Sequence, residues 1–104
     1  MHLSIEGFTM PPSDTIRQAA DTLRMLAEPT RLAILCALAQ GESSVACLAE
    51  LAGTTPTAVS QHLSKLRLAE LVIRRREGTY VYYSLADPAL GDLVRRALTA
   101  AGRD

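Results

Sequence analysis

The sequence predicts a mainly α (α+β) fold of about five helices and one two-stranded β-hairpin, and three observations point to it. Of the 104 residues, 48% are hydrophobic but only 4% aromatic, so the interior is built from Leu, Ala and Val, a mixture that suits packed helices better than a sandwich. Apolar residues recur at three- and four-residue intervals along most of the chain, and only residues 71 to 85 switch to a pattern rich in Val, Ile, Tyr and Arg, interrupted at Glu77-Gly78. The length permits one core, because two would each be too small to offset the conformational entropy lost on folding.

Residues 1 to 12, ending in Pro11-Pro12, follow neither period and are expected to form a flexible N-terminal arm, with residues 13 to 104 as the single domain. Ser13 is the expected N-cap of a first helix whose apolar face is Ile16, Ala19, Ala20, Leu23, Leu26 and Ala27. Pro29 separates it from a second helix reaching about Gln40, apolar over most of its circumference and so expected deep in the core, with Gly41 at its end. Ser43 or Ser44 caps a short third helix near 44 to 52, with Val45, Leu48, Ala49 and Leu51 facing inward and Gly53 breaking it. Thr54-Thr55-Pro56 opens a fourth helix to about Ala69, in which Val59, Leu63 and Leu66 face the core. After the hairpin, Asp87-Pro88 starts a last amphipathic helix carrying Leu90, Leu93, Val94, Ala97, Leu98 and Ala101.

The formal net charge is zero, yet the charges are segregated. Residues 1 to 53 hold three Arg against six acids, residues 54 to 84 hold five Lys or Arg against two Glu, and residues 85 to 104 hold three of each sign. Positive charge is thus concentrated in one stretch, the polarity needed to present a single face to phosphate. No apolar run approaches a membrane span, and the first residues lack the pattern of a secretory signal, so a cytoplasmic protein without a membrane partner is expected. Cys36 and Cys47 fall in apolar helical segments without a CxxC pair, and are expected as reduced thiols buried as small hydrophobes.

A helix, a tight turn at Gly53, a second helix and a two-stranded wing form the layout of a winged helix-turn-helix, whose second helix enters the major groove of DNA. Gln61 can bond adenine bidentately, Thr57, Ser60 and Ser64 can reach bases or phosphates, and Lys65 and Arg67 supply charge. Thr55 and Pro56 stand where the helix N-terminus turns free N–H groups toward an anion. Arg74, Arg75 and Arg76 alternate across the first strand, and with Thr79 at the hairpin they form a minor-groove or backbone probe.

The runs TLRMLAEPTRLAILCAL and SVACLAELAGTTPTAVSQHLSKLRLAELVIRRREGTYVYYSL closely resemble the ArsR/SmtB family of bacterial metal-responsive repressors, over about residues 16 to 98. The resemblance implies a homodimer built on the first and last helices, with Ile16, Ala19 and Leu23 of one and Leu90, Leu93, Val94, Ala97 and Leu98 of the other at its interface. It also implies a recognition helix at 56 to 69, a double-stranded inverted-repeat operator, and release of DNA when an effector binds.

Departures from the family pattern bear on that effector. Members that sense metal through the third helix carry cysteines in a pattern like ELCVCDL, where this chain has Ser44 and Ala46, with Cys47 in place of the acid. Members that sense zinc, cobalt or nickel through the last helix need an Asp and a His from one subunit and two further ligands from the other. Here only Asp87 remains, beside Ala89, Ala100 and Arg103, and it reads as the helix cap. His62, in a QHL triplet, is expected to pack or to meet a phosphate. No cofactor is therefore required, although His2 beside the amino terminus offers nitrogen ligands that suit weak nickel binding. The alternative source of control is a regulatory protein partner, such as a metal-binding corepressor. A redox switch is not favoured, because neither cysteine has a basic neighbour in sequence, and no cluster with catalytic spacing suggests an enzyme.

Overall fold

Four side-chain caps set where the helices begin in the computed structural model, which describes residues 5–102. Glu28, Ser44, Thr55 and Asp87 each stand in extended backbone and accept from the N–H of Arg31, Cys47, Ala58 and Ala89, respectively. Glu28, Thr55 and Asp87 are each followed by a proline at the first helical position, where the missing N–H costs nothing. The helices are α1 (Ser13–Leu26), α2 (Pro29–Leu38), α3 (Val45–Ala52), α4 (Pro56–Leu68) and α5 (Pro88–Ala101), with β1 (Val72–Glu77) and β2 (Tyr80–Leu85) between the last two.

Several expectations are corrected at this level. Ser13 lies inside the first turn of α1; Pro12 takes the N-cap position, where its carbonyl accepts from Ile16 but its apolar ring can make no side-chain bond. α2 ends at Leu38, and Gly41 is reached through a tightened turn in which its N–H bonds the Leu38 carbonyl. Leu51 faces outward at 65% exposure, because the short α3 turns Leu48 and Ala49, with Val45 beside them, toward the body. Cys47 is exposed and Cys36 half-buried, so neither is a fully buried thiol.

The core is one cluster that joins every helix to the sheet. Ile34 and Leu35 of α2, Leu48 of α3, Val59, Leu63 and Leu66 of α4, and Val94 of α5 are all completely buried, with Val72 and Tyr83 closing it from the hairpin. The strands pair antiparallel from Val72↔Leu85 to Glu77↔Tyr80. Gly78, at φ 63°, supplies the positive φ of the two-residue turn. A third segment joins this sheet at one point: Ser43 and Tyr83 exchange both backbone hydrogen bonds, at 3.0 and 2.8 Å, tying the wing to the turn between α2 and α3.

The single chain is more extended than a compact domain. Its radius of gyration is 16.7 Å, against about 13 Å for a compact domain of this length. α1 buries only Leu26 in the core, with Met25 packed against it, and leaves Ile16 46% and Leu23 53% exposed. On α5, Leu90 and Val94 are buried in the chain's own core, so of the residues expected at a dimer interface only Leu93, Ala97 and Leu98 remain exposed there. Residues 5 to 12 form no helix or strand and leave Ile5, Phe8 and Met10 exposed.

Candidate nucleic-acid interface

The caps and core contacts of α4 determine which of its side chains are presented to solvent. With Val59, Leu63 and Leu66 turned inward, Thr57, Ser60, Gln61, Ser64, Lys65 and Arg67 lie on the exposed side. Thr55 spends its side-chain oxygen on the cap, accepting from Ala58 N–H at 3.1 Å, and the Ser64 hydroxyl donates to the Ser60 carbonyl at 3.0 Å. Gln61 makes no side-chain hydrogen bond within the described residues, so its amide keeps both a donor and an acceptor for a base edge.

Most cations of α4 and β1 lack the local ion pairs made by arginines of α1 and α5. Arg17, Arg24 and Arg95 each bond an aspartate three residues away, at Asp14, Asp21 and Asp92. Among the described residues Lys65, Arg67, Arg74 and Arg76 make no ion pair, and all four are exposed. Arg67 and Arg74 line one depression, together with Glu70, Val72, Ile73 and Ala86, so the end of α4 and the base of the wing bring two of these cations to one place. Thr79 stands exposed at the wing tip. Arg96 on α5 likewise makes no ion pair among the described residues, but it lies on another element.

Arg75 departs from the pattern of its neighbours. Its Nε and Nη2 donate to the two oxygens of Glu42, both at 2.8 Å, its Nη1 donates to Glu77 at 2.7 Å, and its guanidinium lies 4.9 Å from the centre of the Tyr82 ring. The Arg75 side chain holds the Glu42 carboxyl below its usual range. No sequence signal connects Glu42 with Arg75, 33 residues apart; only the Ser43↔Tyr83 bridge brings them together.

A second cluster joins α4 to the start of α2. Arg31 Nε donates to the Met25 carbonyl at 2.7 Å, while its Nη1 lies 3.4 Å from His62 Nδ1. Glu28 Oε2 lies 3.8 Å from the same nitrogen. His62 therefore packs against this group at the α1–α2 junction and is half-buried. The N–H of Arg31 holds the Glu28 carboxyl below its usual value, more than the charges of His62 and Arg31 do.

The positions implied for a family metal site hold poor donors and are in structural use. Ser44 and Asp87 are helix caps, and Ala46, Ala89 and Ala100 have no ligand atoms. Among the described residues no group of three or more His, Cys, Asp or Glu is placed to hold a metal ion. His2 and Arg103 lie outside the described residues. No helix among the described residues is long and apolar enough to cross a membrane.

The family described as bacterial regulatory protein, arsR family, matches residues 28–74. The HTH-type transcriptional regulator KmtR of Mycobacterium tuberculosis is 45% identical over 83 residues, which are 80% of this chain and 64% of that protein, so the chain spans less than two thirds of this relative. The HTH-type transcriptional regulator NmtR of the same organism is 39% identical over 98 residues, covering 90% of this chain and 82% of its own length. Among solved structures, the homodimeric winged helix-turn-helix DNA-binding domain of a possible ArsR-family transcriptional regulator from Mycobacterium bovis superposes with a TM-score of 0.77 at 34% identity, over 93% of this chain and 90% of that one.

Proposed function

This chain belongs to the arsR family of bacterial regulatory proteins, and from that premise we propose that it is a cytoplasmic transcriptional repressor that binds an inverted-repeat DNA operator as a homodimer. The observation that carries the reading is the set of exposed cations on α4 and β1 that make no ion pair among the described residues, beside the exposed Gln61. α4 lies in the major groove, where Gln61 reads a base and Thr57, Ser60 and Ser64 meet bases or phosphates. Lys65, Arg67, Arg74 and Arg76 neutralise phosphates, which makes affinity fall with salt. The exposed faces of α1 and α5, with Ile16, Ala19, Leu23, Leu93, Ala97 and Leu98, pair across the two-fold axis.

Footprinting on DNA upstream of the chain's own gene tests this. The expected result is protection of two half-sites centred about 34 to 36 Å apart, one turn of B-DNA. Protection of a single half-site, or binding indifferent to salt, would overturn it.

The signal is not a metal held at the positions that the family resemblance implies. A ligand shifts a conformational equilibrium only by its differential affinity for the two states, and the ligands that would generate the difference are replaced by Ser44, Ala46, Ala89, Ala100 and Arg103. Control comes from a companion protein or a ligand of another class, and any nickel held at His2 is held weakly. Calorimetry with zinc, cobalt and nickel should detect no tight site. Submicromolar binding accompanied by a loss of operator affinity of about tenfold or more, about 1.4 kcal/mol of coupling, would refute this.

A further inference from the structure

We propose that Arg75 is the positioning residue of the wing: Glu42, Glu77 and Tyr82 hold its guanidinium so that it anchors the hairpin to the α2–α3 turn, leaving Arg74 and Arg76 to carry the wing's charge to phosphate. This deepens the DNA-binding reading and rests on it.

Alternation along the strand already sets Arg75 on the opposite face from Arg74 and Arg76, and the structure shows what each face meets. Arg75 pairs across the sheet with Tyr82, whereas Arg74 and Arg76 pair with Tyr83 and Val81 on the face that also carries Val72. Three of the five N–H donors of Arg75 already have a carboxylate acceptor. A phosphate is left the two remaining N–H groups, one on each Nη, and it would approach a cluster of two carboxylates around one cation, whose net charge repels it. The bidentate fork on Glu42 fixes direction as well as distance, a geometry that lysine cannot reproduce.

The place of the clamp explains what it holds. Glu42 precedes Ser43, and Tyr82 precedes Tyr83, the two residues whose backbones form the only bridge between the wing and the α2–α3 turn among the described residues. Arg75 thus closes a second link beside that bridge and restrains the hairpin's tilt toward α4. Arg74, which shares a depression with Arg67 of α4, is carried to phosphate only at the correct tilt.

Two readouts on the full chain test the assignment: amide exchange of Ser43 and Tyr83, and operator affinity measured by anisotropy across a salt series. Glu42→Gln and Arg75→Lys should each speed exchange of those two amides by about two- to fivefold, the range expected for an exposed ion pair. The buried amides of Ile34 and Leu35 should keep their protection, which shows that the fold is intact. Both variants should weaken operator binding by a similar factor while leaving its salt slope unchanged. Arg74→Gln and Arg76→Gln should instead each flatten the slope by about 1.8, because each protomer of the dimer then neutralises one phosphate fewer.

Unaltered exchange in both clamp variants would overturn the proposal. So would tighter binding and a steeper slope in Glu42→Gln, the result expected if Glu42 merely withholds Arg75 from phosphate. If the wild-type chain binds no DNA, the functional reading falls, whereas the exchange rates still decide whether Arg75 anchors the wing.

Discussion

Replacing Glu70 with glycine should stabilise the protein. Glu70 follows the C-cap of α4 at φ 61°, and is the one non-glycine residue with positive φ among those described. The helix closes in a Schellman arrangement around it: Glu70 N–H bonds the Arg67 carbonyl and Leu71 N–H reaches the Leu66 carbonyl, both at 2.9 Å. This reversal delivers the chain from α4 into β1 and so places the wing beside the recognition helix. A side chain in the left-handed region costs about 1 to 2 kcal/mol, while glycine adds roughly 0.4 to 1 kcal/mol of unfolded-state entropy to be lost.

The difference leaves Glu70→Gly more stable by about 0.5 to 1 kcal/mol, or about 2 to 8 °C in Tm for a domain of this size. Calorimetry of wild type, Glu70→Gly and Glu70→Ala at one protein concentration is the appropriate assay, since dimerisation would make Tm concentration-dependent. Alanine retains the Cβ and should give no such gain. A glycine variant no more stable than wild type, or an alanine variant equally stabilised, would refute the reasoning. Because Glu70 is also the acid in the depression shared with Arg67 and Arg74, both variants should bind DNA at least as tightly as wild type.

Gln61→Ala should cost about 1 to 3 kcal/mol of operator affinity and relax preference at one base, checked by anisotropy on operators varied position by position. Leu23→Glu combined with Leu93→Glu should yield a folded monomer in sedimentation at micromolar concentration, because both side chains are exposed in the single chain; a persistent dimer would move the interface elsewhere. Glu28 and Glu42 have carboxyls held below the usual value of 4.5, so their contribution to stability is complete above that value and is lost as pH falls through the depressed folded-state values. Acid unfolding monitored by circular dichroism should accordingly respond less steeply to pH below about 4.5 in Glu28→Gln and Glu42→Gln than in wild type. Leu63→Ala, at a completely buried position, should destabilise by about 2 to 5 kcal/mol in a denaturant titration.

Local information was enough for most elements and for the inner face of the recognition helix. A cap followed by proline acts within one helical turn, so Thr55-Pro56 and Asp87-Pro88 announce α4 and α5 without reference to the rest of the chain. The spacing of Val59, Leu63 and Leu66 assigns the buried side of α4 and, by exclusion, the side carrying Gln61 and Lys65. Glu28 could also have been read this way, since it stands directly before Pro29 and its carboxylate reaches only three residues onward.

Tertiary packing decided what periodicity cannot express. Whether an apolar helix residue meets its own core or remains open to another surface depends on which elements dock on it; Leu90 and Val94 are buried, whereas Leu93 and Leu98 on the same helix are not. Leu51 has the spacing of a core residue and is left outside because nothing covers the far side of α3. The different surroundings of Arg74, Arg75 and Arg76 arise from a backbone bridge between Ser43 and Tyr83 that brings Glu42 to one face of the hairpin alone. Hydrophobic spacing and helix caps are properties of neighbouring residues and can be read along the chain, whereas an ion pair spanning 33 residues exists only once the fold has closed the distance.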